Sequence, residues 1–448
     1  MKVKNNLSKT HLYKGLGLSC LLGSFVVSFP NEAQAQVSRQ RSTSGEAVAE
    51  SIIRGQTETK SGHFLSWNKW NFGIRPRVDV EYNSNIYRRD ESYIKGDADD
   101  FILHPEVKFD FYRAISDFNS IDLTLGVSTD IYTKHTSVNT YSPLISPDTE
   151  LAYHLFVGDT HIKLRDMFSY QEDINNIRVQ DSGEFVDIEG VKFGRYDNKL
   201  GAAAEWDTGA FLFKGSADWN WFHSNSSRYE RLDRNSGLFT QSASYFITPN
   251  IQTGIEANDD VHFFSKHGKS NSIDDQFRLD IGPFYAMKMG KRIRFKVGAG
   301  YNYATFFQHD NDPVTDDIND WYAKGQVEYV ITPWLVNSLN VYRGNRQSWN
   351  SDNQRIVSIG DTIRFSYIRD FDIDFYCSIN FYKETGIRYK TRNDAHAEYY
   401  AGGIRIAYTF LERWQPSLRY TYYTYDRENT DYNRYDVHQV MLGIQYTF

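Results

Sequence analysis

Two groups of charged residues at every-other spacing are the strongest chemical signal in this chain. Arg75, Arg77, Asp79 and Glu81 form the first; Arg278 and Asp280, followed by Arg294 and Lys296, form the second. Residues two apart on a strand share a face, so each group would line one face with mixed charge. Rings of such side chains set ion selectivity in pores. The same side chains could instead pair with one another and fill an interior, and the sequence leaves both readings open. Arg278 and Asp280 are expected to face Arg294 and Lys296 across a short turn. Arg75, Arg77, Arg278, Arg294 and Lys296 are expected to form one lumen cluster.

Other chemistry is poorly served. A hydrolytic site needs a nucleophile, a base and an orienting group within reach. His161 with Ser169, or His396 with Ser378, are the pairs that could be named, and no GxSxG accompanies them. No catalytic residue is assigned, and the chain is read as a non-enzyme. The run Asp310-Asn311-Asp312-Pro313-Val314-Thr315-Asp316-Asp317 offers oxygen ligands to calcium. It lacks the Gly and the distant Glu of an EF-hand loop, and Pro313 interrupts it. A solvated acidic loop is the plainer reading; cations bridging it to lipopolysaccharide phosphates are the softer one. No metal or cofactor is expected.

The N-terminus reads as a secretory signal peptide. Lys2, Lys4, Lys9 and Lys14 precede an uncharged apolar run from Gly15 to Phe29, and Asn31-Glu32-Ala33-Gln34-Ala35 supplies small residues for cleavage after Ala35. The run is shorter than the roughly 20 residues a spanning helix needs. Gly17 stands where a lipoprotein signal would place an aliphatic residue before Cys20. Beyond residues 1–35 the only cysteine is Cys377, so a mature chain has no internal disulfide and no cysteine metal site. Removing that segment takes away four Lys and one Glu and moves the formal charge from −7 to −10. An acidic balance argues against nucleic acid as a partner.

The elements that would carry the charged groups alternate over most of the remaining length. Phe72, Ile74, Val78, Val80 and Tyr82 oppose Arg75, Arg77, Asp79, Glu81 and Asn83. Phe101, Leu103, Val107, Phe109 and Phe111 oppose His104, Glu106, Lys108 and Asp110. At the C-terminus Val440, Leu442, Ile444, Tyr446 and Phe448 oppose Gln439, Met441, Gly443, Gln445 and Thr447. Mean hydropathy is only −0.59, although 16% of residues are aromatic, with 32 Tyr and 30 Phe. A membrane β-barrel reconciles these numbers: one face of each strand meets lipid, the lumen is polar, and aromatics gather in girdles. Tyr446 and Phe448 resemble the terminal aromatic signal by which outer-membrane barrels are recognised for assembly.

Connections alternate between short and long. Short links fall near Ser116-Asp117, Gly158-Asp159, Asp207-Thr208-Gly209, Thr248-Pro249, Gly290-Lys291, Thr332-Pro333, Arg369-Asp370 and Glu412-Arg413, with long polar links between them. Short turns on one rim and long loops on the other predict an all-β, antiparallel up-and-down transmembrane barrel of about 18 strands (roughly 16–20), with the short turns periplasmic. Residues 36–66 read as a periplasmic extension without strands, and 67–448 as the barrel. Phe246-Ile247-Thr248-Pro249 and Val330-Ile331-Thr332-Pro333 share a phrase that predicts the same hairpin chemistry twice.

Tyr82-Asn83-Ser84-Asn85-Ile86-Tyr87, then Asp100-Phe101-Ile102-Leu103-His104-Pro105, then Leu123 to Tyr132, resemble the opening hairpins of a porin-like β-barrel family often encoded beside exopolysaccharide genes. The resemblance covers about the first 60 residues of the barrel and implies no site residue. The expectation is an outer-membrane pore for small hydrophilic solutes or polysaccharide. The alternative is a non-conducting barrel that supports polysaccharide secretion or adhesion through its long loops. Outer-membrane lipid, lipopolysaccharide and the barrel-assembly machinery are the expected partners.

Overall fold

The computed structural model describes residues 65–67, 70–87, 96–140, 143–172, 193–227, 229–265, 274–307, 317–346, 353–385, 395–411, 413–427 and 434–448. The expected signal peptide, the expected calcium loop apart from Asp317, and nearly all of the extension lie outside them. So does the loop interior between Glu172 and Phe193.

Eighteen long strands run in chain order. They are β1 (Trp70–Asn83), β2 (Asp100–Ser116), β3 (Asn119–Ser128), β4 (Glu150–Val157), β5 (Thr160–Gln171), β6 (Arg195–Asp207), β7 (Phe211–Ser224), β8 (Arg234–Thr248) and β9 (Ile251–Phe264). The second half comprises β10 (Asp275–Met289), β11 (Ile293–Phe307), β12 (Ile318–Thr332), β13 (Leu335–Arg346), β14 (Asn353–Phe365), β15 (Phe371–Thr385), β16 (Ala395–Tyr408), β17 (Trp414–Arg427) and β18 (Tyr435–Tyr446). Each pairs antiparallel with the next, and β1 pairs with β18 from Arg77↔Gln445 to Asn83↔Gln439, which closes the barrel. Closure removes every sheet edge, as a wall without water to hydrogen-bond requires.

Three two- or three-residue strands complete the sheet. Ile131–Tyr132 extends β3 against β2, and Leu144–Ile145 bridges β3 and β5 above β4. Leu65–Trp67 pairs with the start of β1. Leu65 and Ser66, the last two residues of the expected extension, face Phe72 and Asn71. Their backbone groups find partners on β1 before the barrel proper begins.

All eight short links are hairpin turns on one rim. Gly158 and Gly290 hold φ of 57° and 62°, a backbone region that a side chain disfavours. At the two shared phrases the register skips one residue, Ile247 between Phe246 and Thr248 and Ile331 between Val330 and Thr332. The repeated sequence therefore encodes a repeated bulge, with the extra isoleucine left exposed.

The outer wall is apolar and uncovered. Val78, Val80, Phe101, Leu164, Leu200, Trp219, Ile255, Val297, Val341, Ile359, Leu418 and Leu442 are exposed large hydrophobics. A continuous band of this kind has no place on a water-facing surface and matches a wall immersed in lipid. The alternate positions point inward and are mostly polar. One exception is an aromatic cluster at the long-loop end of β14–β18, where Tyr382, Tyr399, Tyr423, Tyr425 and Tyr435 pack with Ile356 and Val437. Alternation alone put only polar groups inside. The adjacent Tyr422-Tyr423 in β17 placed an aromatic on each face.

Candidate functional site

Several ion pairs on the inward face place the acid against the wall. Arg75 forks Asp110 through Nε and Nη2 at 2.7 and 2.9 Å, and Arg77 meets Asp79 at 2.7 Å. Glu81 accepts from Asn83 at 3.0 Å and Gln439 at 3.1 Å and lies 3.3 Å from His104 Nε2. Across the barrel, Arg294 reaches Glu328 at 3.2 Å, and Lys296 and Lys324 share Glu256 at 3.0 and 2.6 Å. Arg294 keeps 42% of its side chain exposed while Glu328 keeps 6%. In these pairs the carboxylates are screened by the wall and the cations stand further toward the water.

All eight sequence-selected charges sit at inward positions, but they do not form one cluster. Arg75 to Glu81 belong to β1 beside the seam, whereas the others belong to β10 and β11, far around the ring. Nor do Arg278 and Asp280 face Arg294 and Lys296. In the register Arg278 faces Ala304 and Asp280 faces Asn302, while Arg294 faces Lys288 and Lys296 faces Ala286. Both strands have 15 residues, so Arg278 sits at the long-loop end and Arg294 beside the turn. Asp280 is held by Asn302, and Arg278 donates to Gln276 at 3.0 Å and to Asn353 on β14 at 2.9 Å.

Sequence spacing missed the partners that come from non-adjacent strands. Arg165 on β5 forks Asp218 on β7 at 2.9 and 2.5 Å, passing over Gly201 on β6, where a Cβ would collide with the Asp218 carboxylate. Glu256 on β9 reaches β11 and β12 in the same way, and a Cβ at Gly298 would come within 2.9 Å of its Oε1. Inward glycines flanked by strands with inward charges were the available signal.

The catalytic pairs weighed from sequence are not assembled. His161 and Ser169 are eight residues apart on one strand, and His396 and Ser378 occupy opposite faces of the wall. His161 instead meets His154 at 3.0 Å and stacks on Phe156. Ser236, His262 and Asp260 do line up, at 2.6 and 3.4 Å. Ser236 is only 2% exposed, which leaves no face for a substrate carbonyl. Among the described residues no group of three or more His, Cys, Asp or Glu could hold a metal ion.

No protein-family model matches the chain, and no curated protein matches it in sequence. Among solved structures it resembles OpdK of Pseudomonas aeruginosa, crystallised with vanillate, at TM-score 0.46 and 10% identity, over 84% of this chain and 98% of that one. It also resembles a BenF-like porin from Pseudomonas fluorescens, at TM-score 0.48 and 9% identity, over 85% and 99%. OpdQ of Pseudomonas aeruginosa gives TM-score 0.47 and 8% identity, over 85% and 99%.

Proposed function

We propose that this protein is an outer-membrane porin-like channel for small hydrophilic solutes. The observation that carries the reading is a closed wall of eighteen strands on which inward cations such as Arg364 and Arg294 remain open to water, at 51% and 42% of their side chains. Barrels of 16–18 strands are wide enough to leave an aqueous channel. The apolar outer wall selects a membrane, and β-barrels of this kind belong to outer membranes. Outer-membrane lipid, lipopolysaccharide and the barrel-assembly machinery are the partners this reading implies. The narrower idea of polysaccharide as cargo beside exopolysaccharide genes is supported by the short sequence resemblance around Tyr82–Tyr87 and draws nothing from the geometry.

Purified protein that migrates as a heat-modifiable band should give stepwise, ohmic conductance in planar bilayers. Folded protein with no conductance would favour the non-conducting barrel, and the filled aromatic sector at the long-loop end of β14–β18 would be the place to look for the obstruction.

A further inference from the structure

The sector of wall beside the seam carries more positive charge than its fold needs. Arg364 on β14 and Arg405 on β16 both reach Asp374 on β15, at 2.9 and 3.3 Å. Arg405 then stands directly opposite Arg419 on β17 in the register. Arg77 and Asp79 on β1 are also near enough for their charges to act on Arg419. Three guanidinium groups, those of Arg77, Arg364 and Arg405, are thus met in direct contact by two carboxylates, Asp79 and Asp374, and Arg419 adds a fourth beside Arg405. Of the next acids, Asp110 holds Arg75 and Glu81 is turned toward Asn83 and Gln439, while Asp372, which accepts from Ser366 at 2.6 Å, adds a third negative charge to the four positive ones.

Like charges directly opposite on neighbouring strands destabilise a sheet. Asp374 offsets Arg405 in part, and the Arg405–Arg419 pair still leaves positive charge on the lumen side. The two acids lie low: Asp374 is 11% exposed while Arg364 and Arg405 keep 51% and 40%. Gly443 helps to set this layering, because a Cβ there would occupy the space taken by the Asp79 carboxylate. The guanidinium forks are left facing the lumen, the geometry in which Arg binds carboxylate, phosphate or sulfate through two parallel N–H donors.

We propose that Arg77, Arg364, Arg405 and Arg419 form a binding subsite for a solute with two or more oxyanion groups, such as a polycarboxylate or a polyphosphate, on its way through the channel. A monovalent anion feels only the field of this sector. A multivalent one can engage two forks at once and dwell there. The inference rests on the channel reading above.

The test is current through the purified channel in KCl, with citrate or tripolyphosphate added to one side and uncharged maltotriose as the control. Citrate, tripolyphosphate or both should interrupt the current in a concentration-dependent way, and which of them does so distinguishes carboxylate from phosphate as the preferred group. Maltotriose should not. The R405Q/R419Q variant should keep its KCl conductance within about twofold but need about tenfold more anion for half-block, as expected for a lost charge-assisted contact. R405K/R419K, which keeps the charge without the forks, should lie between and covers the case in which the Gln variant does not fold. Channels that conduct but ignore both anions, or block that is equal in all variants, would overturn the subsite and leave the channel standing. Absence of conductance from folded wild-type protein would overturn the channel and the subsite together.

Discussion

The backbone N–H of Phe448 donates to the carbonyl of Ile74 at 3.1 Å, so the last residue of the chain is hydrogen-bonded to the first barrel strand. The contact continues the β1–β18 seam beyond Arg77↔Gln445. Phe448 also stands edge-on to Tyr446 at 4.4 Å, and Tyr446 packs on Trp414 at 4.5 Å. Zipping that seam is the step that turns a curled sheet into a barrel.

Deleting Phe448 removes at least one hydrogen bond and one aromatic pair, and those two together contribute about 1–3 kcal/mol. That is small against a wall of eighteen paired strands, so a folded barrel should survive the loss. The amount inserted in the outer membrane should nonetheless fall several-fold, because the terminal aromatics are also proposed as the assembly signal. Membrane fractions compared by heat-modifiability would show this; normal abundance of the folded band would remove the assembly role of Phe448.

Leu442 faces outward near the middle of β18 with 60% of its surface exposed. On a water-facing surface Leu442→Arg would be almost neutral. In a bilayer it should cost about 2–4 kcal/mol, the penalty for Arg on a lipid-facing strand near the midplane. Equilibrium urea unfolding in liposomes measures the difference, and an unchanged midpoint would remove the lipid-facing assignment of this wall.

Asp218 and Arg165 form a buried pair, so Asp218→Ala should destabilise the barrel by about 3–5 kcal/mol, the cost typical of breaking a buried ion pair by removing one member. Gly201→Ala should act on the same pair by displacing the Asp218 carboxylate. If both act through one contact, the double variant should be little worse than Asp218→Ala alone. Additive losses in unfolding midpoint would mean that Gly201 serves some other purpose.

Replacing Arg294 and Lys296 by Gln should shift selectivity toward cations, read as a changed reversal potential under a salt gradient. The substitutions uncover Glu328 and leave Glu256 with Lys324 alone, and a charge in a confined pore acts on a passing ion with little screening. An unmoved reversal potential would place the ion path away from β11.

The side of the membrane can be read with an impermeant maleimide on intact cells. In a background carrying Cys377→Ser, cysteine at Gly183, on the long connection between β5 and β6, should label, whereas cysteine at Asn250, in the β8–β9 turn, should not. The opposite result would invert the barrel.

The sequence by itself determined the strand number, the outward face and the short-turn rim. Those properties are local: lipid demands apolar side chains at alternate positions such as Val78, Val80 and Tyr82, and tight turns demand residues such as Gly158, Gly290 and Pro249. Each can be read within a few neighbours along the chain. Only the tertiary structure decided which inward charges meet. Arg165 finds Asp218 two strands away, Glu256 collects Lys296 and Lys324 from β11 and β12, and Arg405 confronts Arg419. Those meetings depend on the stagger between strands and on closure of the ring, which fix the height of every inward residue relative to all others. The inner Tyr cluster has the same origin, because nothing lipid-like constrains the lumen face, and its side chains answer only to neighbours that the closed wall brings together.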